Sequence, residues 1–266
     1  MGIFPRWFLI AFFVGGGAYA FAQSHSEARA IMEKAAQMRL VDSSEGVSTL
    51  TIINNRGQER VRKVAMITKL YDNGKTEKRL VRFLSPADVK GTGLLTYDYE
   101  RDDDAMWLYL PALRKSRRLV SREKSKSFMG SEFSYADMNI PDLDDFQLTL
   151  EGEETVDGAL CSRIAQIPKN DDLADELGFA KRISWVGKDD YVIRKAEYFD
   201  TEGERFKVLT TKDVRLIDPK AKRYRPMHMR MENLKTGRSS LLVIDKLEVN
   251  TKVGDDYFTP RFLERE

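Results

Sequence analysis

From residue 47 to residue 250 the chain alternates apolar and polar residues with a period of two, and turn signals break the pattern at short intervals. This constrains the fold more than anything else in the sequence. Residues 47–54 are rich in β-branched side chains and run into Asn55-Arg56-Gly57. Residues 61–71 end at Asp72-Asn73-Gly74, where Asn-Gly tolerates the positive φ of a tight hairpin. Further runs cover 80–84, 94–99, 105–110, 146–152, 159–167, 182–186, 192–200, 205–216, 223–234 and 239–250. About eleven strands at hairpin spacing describe an antiparallel sheet rather than βαβ units. A sheet of that size must curl or be covered to protect its edges.

Residues 24–40 read as a helix ahead of the strands. Ser24 and Glu27 have the spacing of a capping box, and Ala28, Ile31, Ala35 and Met38 recur at helical spacing. Two segments break the strand rhythm. Residues 121–143 hold Phe128, Met129, Phe133, Tyr135 and Met138, and a helix there would put Met129, Phe133 and Ala136 on one face. Residues 170–179 open on Asn170 with Asp171 and Asp172 in the first turn, which reads as a short helix. Pieces so short are unstable alone, so each must dock on the sheet. The expected fold class is mostly β with α: a large curved antiparallel sheet, an N-terminal helix and short helical lid segments.

The start of the chain is of another kind. Arg6 precedes the apolar run 7–14, three glycines follow, and Ala18-Tyr19-Ala20 and Ala20-Phe21-Ala22 each fit a small-x-small cleavage pattern. The expectation is a cleaved secretory signal over 1–22, with residues 23–266 forming one domain. A membrane anchor needs about 20 apolar residues, more than this glycine-interrupted stretch supplies. The chain has a single cysteine, Cys161, too far in to carry a lipid at the cleavage site and unable to form an internal disulfide. Cys161 reads as a small core or sheet residue. A free periplasmic protein is expected, as a monomer.

Basic and acidic residues nearly cancel, 44 against 42, which argues against a nucleic-acid binder. The chemistry inventory is sparse. Of two histidines, His25 lies by the processing site, where little order is expected, and His228 alternates with methionines on a strand. No nucleophile elbow, zinc-protease motif, C-x-x-C or phosphate loop occurs, and Gly91-Thr92-Gly93 lacks the rest of a dinucleotide site. Asp102-Asp103-Asp104 lacks the alternate spacing of a calcium loop and reads as a solvated turn. No catalysis, metal or cofactor is expected.

Two features point to a ligand instead. Arg114, Lys115, Arg117, Arg118, Arg122, Lys124 and Lys126 gather seven cations with Glu123 alone opposing them. Such a run is either a solvated loop or a contact for phosphate-bearing headgroups or an acidic partner. In 105–110, Trp107 and Tyr109 alternate with Met106, Leu108 and Leu110, so both faces of that strand need cover from helix, lid or ligand. Leu94, Leu95, Phe83, Met66 and Leu70 fall on strands expected to neighbour it.

Several blocks resemble one family. They are Arg82-Phe83-Leu84-Ser85-Pro86-Ala87-Asp88-Val89-Lys90-Gly91-Thr92-Gly93, Met106-Trp107-Leu108-Tyr109-Leu110-Pro111, the basic stretch 114–118, the segment 128–137 and the ending 255–263. With the helix-then-hairpins order, they are similar to the outer membrane lipoprotein-sorting proteins, a branch of the LolA/LolB-like periplasmic carriers. The resemblance implies a half-open β-barrel closed by helices, with an apolar concave face for acyl chains. It also implies an RND-type inner-membrane exporter as a candidate partner.

The expected function is a carrier that binds an acylated amphiphile, lipoprotein or lipid, under the 121–143 flap and moves it between membranes. The acyl contacts expected are Met66, Leu70, Phe83, Leu95, Trp107, Tyr109, Phe128, Met129, Phe133, Tyr135 and Met138. Headgroup or partner contacts are expected at Arg114, Lys115, Arg117, Arg118 and Arg122, with only transient membrane contact. The competing expectation is a lipid-sensing or adaptor subunit of an inner-membrane complex.

Overall fold

The computed structural model describes residues 16–100 and 102–265. Residues 1–15 of the expected signal lie outside the described residues. Helix α1 spans Gly16–Arg39, starting well ahead of Ser24. Alanines at 18, 20 and 22 are good helix formers, so nothing stops the helix at Ser24. Ser24 is therefore not an N-cap. Its hydroxyl donates to Leu150 O at 3.2 Å and accepts from Leu150 N at 3.1 Å, tying the helix to a strand. His25 is likewise ordered within α1, with Nδ1 2.9 Å from Leu148 O. None of the described helices is long and apolar enough to cross a membrane.

The strands are β1 (Ser43–Ile53), β2 (Glu59–Tyr71), β3 (Thr76–Ser85), β4 (Gly93–Tyr99), β5 (Ala105–Leu110) and β6 (Lys115–Arg118). After a long break come β7 (Phe146–Val156), β8 (Ala159–Pro168), β9 (Lys181–Gly187), β10 (Ile193–Phe199), β11 (Arg205–Asp218), β12 (Arg223–Asn233) and β13 (Arg238–Val249). Between β8 and β9 lies α2 (Asp171–Leu177), where the Asn170 side chain accepts from Leu173 N as the acidic first turn predicts. A last turn of helix, α3 (Pro260–Leu263), ends the chain.

All the described strands join one 13-stranded sheet in the order β6-β5-β4-β3-β2-β1-β13-β12-β11-β10-β9-β8-β7. The first and last strands pair antiparallel in the middle of the sheet. The two edges, β6 and β7, are consecutive in sequence, so the segment 119–145 has to cross from one edge of the curled sheet to the other. That path lays it over the concave face. The segment is not the expected α-helix but a series of 3₁₀ turns, including Phe128–Gly130 and Ala136–Met138. The serines are the reason, since their hydroxyls compete with helical bonding. Ser131 Oγ donates to Phe128 O at 2.7 Å, Met129 takes a positive φ of 52°, and Phe128 N donates to Phe133 O at 2.7 Å.

The crossing segment and α1 divide the concave face. Phe128, Phe133 and Tyr135 pack with Phe83, Leu94, Met106, Leu108 and Met231. Ala28, Met32 and Ala35 of α1 pack on Phe146, Leu148, Ile164 and Val186. On the opposite face, Leu80, Leu95 and Tyr109 are covered by Val253, Phe258 and Leu263 from the C-terminal tail. Gly93 permits this cover, because a Cβ there would lie 2.6 Å from Leu263 Cδ1. Arg82 holds the tail in place by donating to Phe262 O, Leu263 O and Arg265 O. Cys161 is fully buried on the outer face beside Trp185, and burial pushes its thiol pKa up.

Candidate functional site

Between the concave face, α1 and the crossing segment lies a cavity of about 280 Å³. Met66, Met229, Met231 and Leu242 line it from the sheet, Phe133 and Met138 from the crossing segment, and Ala35 and Met38 from α1. Of the residues expected to touch an acyl chain, the structure brings Met66, Phe133 and Met138 to this cavity.

Phe83, Phe128 and Tyr135 form the packed wall beside it, with the Phe128 ring 5.7 Å from each of the other two. Met129 packs against the same cluster. Leu70 lines a different groove, with Lys69 and Tyr71. Leu95, Trp107 and Tyr109 sit on the far side of the sheet, under the C-terminal tail. The doubly apolar strand β5 thus has two covers, the crossing segment on Met106 and Leu108 and the tail on Trp107 and Tyr109. Alternation divides a strand into two faces without saying which one looks inward.

The cavity is also lined by four arginines, Arg39, Arg79, Arg182 and Arg225, and by two carboxylates, Glu77 and Asp137. Sequence reasoning missed these. The arginines come from α1, β3, β9 and β12, so no local pattern joins them. One signal existed in β3, where Glu77 and Arg79 are in phase with the buried Val81 and Phe83. Glu77 and Arg79 form a buried ion pair. Asp137 accepts from Ser134 N at 2.7 Å and from its hydroxyl at 2.9 Å. Arg39 Nη1 donates to Asn139 O at 3.0 Å, joining α1 to the crossing segment, and Arg225 Nη2 donates to Arg39 O at 2.7 Å. Arg39 is exposed and borders the cavity from its rim, with the other side chains at the end of α1. Desolvation, with Arg79 nearby, pulls its pKa down to about 10.

The far end of the crossing segment is held by an acid. Ile140 N donates to Asp98 Oδ2 at 2.8 Å, and Asn139 donates to Asp104. Burial, reinforced by Asp104, pushes the Asp98 carboxyl up to about 7. Of the aspartate run, Asp102 and Asp103 are exposed as expected, but Asp104 turns inward and its pKa is raised by burial.

The basic run lies on and beyond the edge strand β6, whose Lys115–Arg118 pair with Leu110–Trp107. Charged residues suit an edge because they discourage further strand pairing. Arg117 is engaged by Glu123 through two bonds at 2.8 and 3.1 Å, and Lys124 by Glu176 at 2.6 Å. Arg114, Lys115, Arg118 and Arg122 are exposed, as are Leu113 at 67% and Val120 at 49%.

A 13-stranded curled sheet closed on its concave side by a helix and a crossing segment defines the LolA-like class of fold. A family profile described as "Uncharacterized protein" matches residues 75–265. An outer membrane lipoprotein-sorting protein domain from Vibrio parahaemolyticus superposes with a TM-score of 0.82 at 28% identity, covering 91% of this chain and 100% of that one. A DUF1329 family protein from Desulfovibrio piger gives 0.82 at 28% identity, over 90% of this chain and 99% of that one. A LolA superfamily protein from Nitrosomonas europaea, at 19% identity and a TM-score of 0.66 over 88% and 98% of the two chains, shares the fold. No curated protein matches in sequence. The chain belongs to the family of that profile and is similar in fold to these lipoprotein-sorting, DUF1329 and LolA superfamily structures.

Proposed function

We propose that the protein is a periplasmic carrier that takes up an acylated amphiphile in the cavity beneath the crossing segment and delivers it between membranes. The cavity itself carries this reading: its methionines, Phe133 and Leu242 offer adaptable apolar contact, enclosed by a segment fixed at both ends to the sheet edges. Each acyl CH₂ buried there contributes about 0.8 kcal/mol, enough to retain a partly inserted chain without any reactive group. The similarity to a lipoprotein-sorting domain supports the same class of cargo. In this reading residues 1–22 are a cleaved export signal, 23–266 the carrier, and the mature chain works as a monomer.

The exposed cations Arg114, Lys115, Arg118 and Arg122, flanking Leu113 and Val120, suit transient docking on an anionic membrane face or on an RND-type exporter. Native mass spectrometry and solvent extraction of the purified protein test the proposal. A co-purifying amphiphile, or uptake of one from labelled vesicles, is expected. A protein that neither retains nor takes up any acyl-chain compound would overturn it.

A further inference from the structure

We infer that the cavity holds the acid group of its ligand as well as its chain: Arg39, Arg182 and Arg225 mark a site for the carboxylate or phosphate of an anionic single-chain amphiphile. This rests on the carrier reading and specifies its cargo. Both carboxylates lining the cavity are already engaged, Glu77 by Arg79 and Asp137 by Ser134. Glu77 reaches Arg39 and Arg225 through space, as Asp98 does Arg39, but among the described residues none of these three arginines has a carboxylate of its own in direct contact. Arg39 donates to Asn139 O, Arg225 donates to Arg39 O, and Arg182 lies over the Tyr198 ring at 5.3 Å with its Nε bonded to nothing.

A guanidinium carries five N–H donors in a fork that fits carboxylate and phosphate, so most of this donor capacity is unspent. Withdrawing such groups from water without a directly bonded counter-charge is costly; Arg182 and Arg225 are half-buried, and desolvation lowers the pKa of Arg225. A bound anion reverses it. A neutral or cationic head would leave the arginines unpaired.

The volume narrows the ligand further. About 280 Å³ lies at the lower end of what ligand pockets offer, so with the crossing segment seated as it is the cavity admits one short chain. A cargo with several acyl chains requires that segment to lift.

Isothermal titration of the protein, stripped of any co-purified lipid, with laurate, lauryl phosphate and lauryl alcohol tests the inference, with acetate and inorganic phosphate as chainless anions. The two acids are expected to bind at least about tenfold tighter than the alcohol. Arg182→Gln and Arg225→Gln should each lower that ratio toward one. Arg182 makes no hydrogen bond through Nε, so its variant is the less exposed to a folding defect, and a thermal melt checks both. Equal binding of acid and alcohol overturns the inference and leaves the carrier reading in place. Binding of none of the three removes the carrier reading itself. Acetate or phosphate binding as tightly as laurate would assign the arginines to a free anion and overturn the amphiphile assignment.

Discussion

Asp98 offers a test of how the crossing segment is anchored. It lies on β4, is 7% exposed, and accepts from Ile140 N at the end of that segment. Burial is the largest reason its pKa stands at about 7, and Asp104 and Glu77 push the same way; Arg79 and the Ile140 N–H pull back. Because the folded value lies above the ordinary 3.8, the fold binds this proton more readily than the unfolded chain does. The resulting stability is fully present below the ordinary value and is lost as pH rises through about 7. At 1.36 kcal/mol per pH unit, the gap amounts to roughly 4 kcal/mol.

Asp98→Asn removes the charge and keeps a side-chain carbonyl able to accept from Ile140 N. In urea unfolding at about pH 8 the variant should be more stable than the wild type, by up to roughly 4 kcal/mol. The advantage should shrink steadily as pH falls and be gone by about pH 4. A wild-type-to-variant difference that stays constant across this range would refute the reasoning, as would one that grows on acidification.

Other substitutions probe the two covers and the basic edge. Phe128→Ala removes the ring wedged between Phe83 and Tyr135 and should cost about 3–5 kcal/mol in chemical denaturation. Gly93→Ala drives a methyl group into Leu263 and should cost about 1–3 kcal/mol. Leu263→Ala in the same chain should relieve that clash, so the double variant should cost less than the sum of the singles; strict additivity would place the tail elsewhere. Replacing Arg114, Lys115 and Arg118 with Ser should leave stability within about 1 kcal/mol while weakening binding to anionic vesicles at low salt. The difference should fade at high salt, and unchanged vesicle binding would return the edge to ordinary solvation.

Where the signal was local, the sequence was enough. Strand β5 matches its expected bounds, and Asp72-Asn73-Gly74 makes the turn into β3 with Asn73 at φ 57°. Strand β6 was hidden because Lys115-Ser116-Arg117-Arg118 has no apolar alternation; as an edge it buries little and is held by pairing with β5. The crossing segment announced itself by its aromatics, yet its backbone conformation depended on serine hydroxyls and on the face receiving Phe128 and Phe133.

The same division explains the candidate site. Doubly apolar β5 declared in sequence that it needed two covers. Which cover would hold a cavity was decided when β1 paired with β13, because that pairing left β6 and β7 as edges and sent the chain between them over one face only. Met66, Phe133 and Met138 then met across that face, while Trp107 and Tyr109 went under the tail. The arginines follow from nothing local. A lone arginine in a helix or strand reads as surface, and only closure of the sheet brings Arg39, Arg182 and Arg225 to one cavity, where partial burial of Arg182 and Arg225 makes their charge matter.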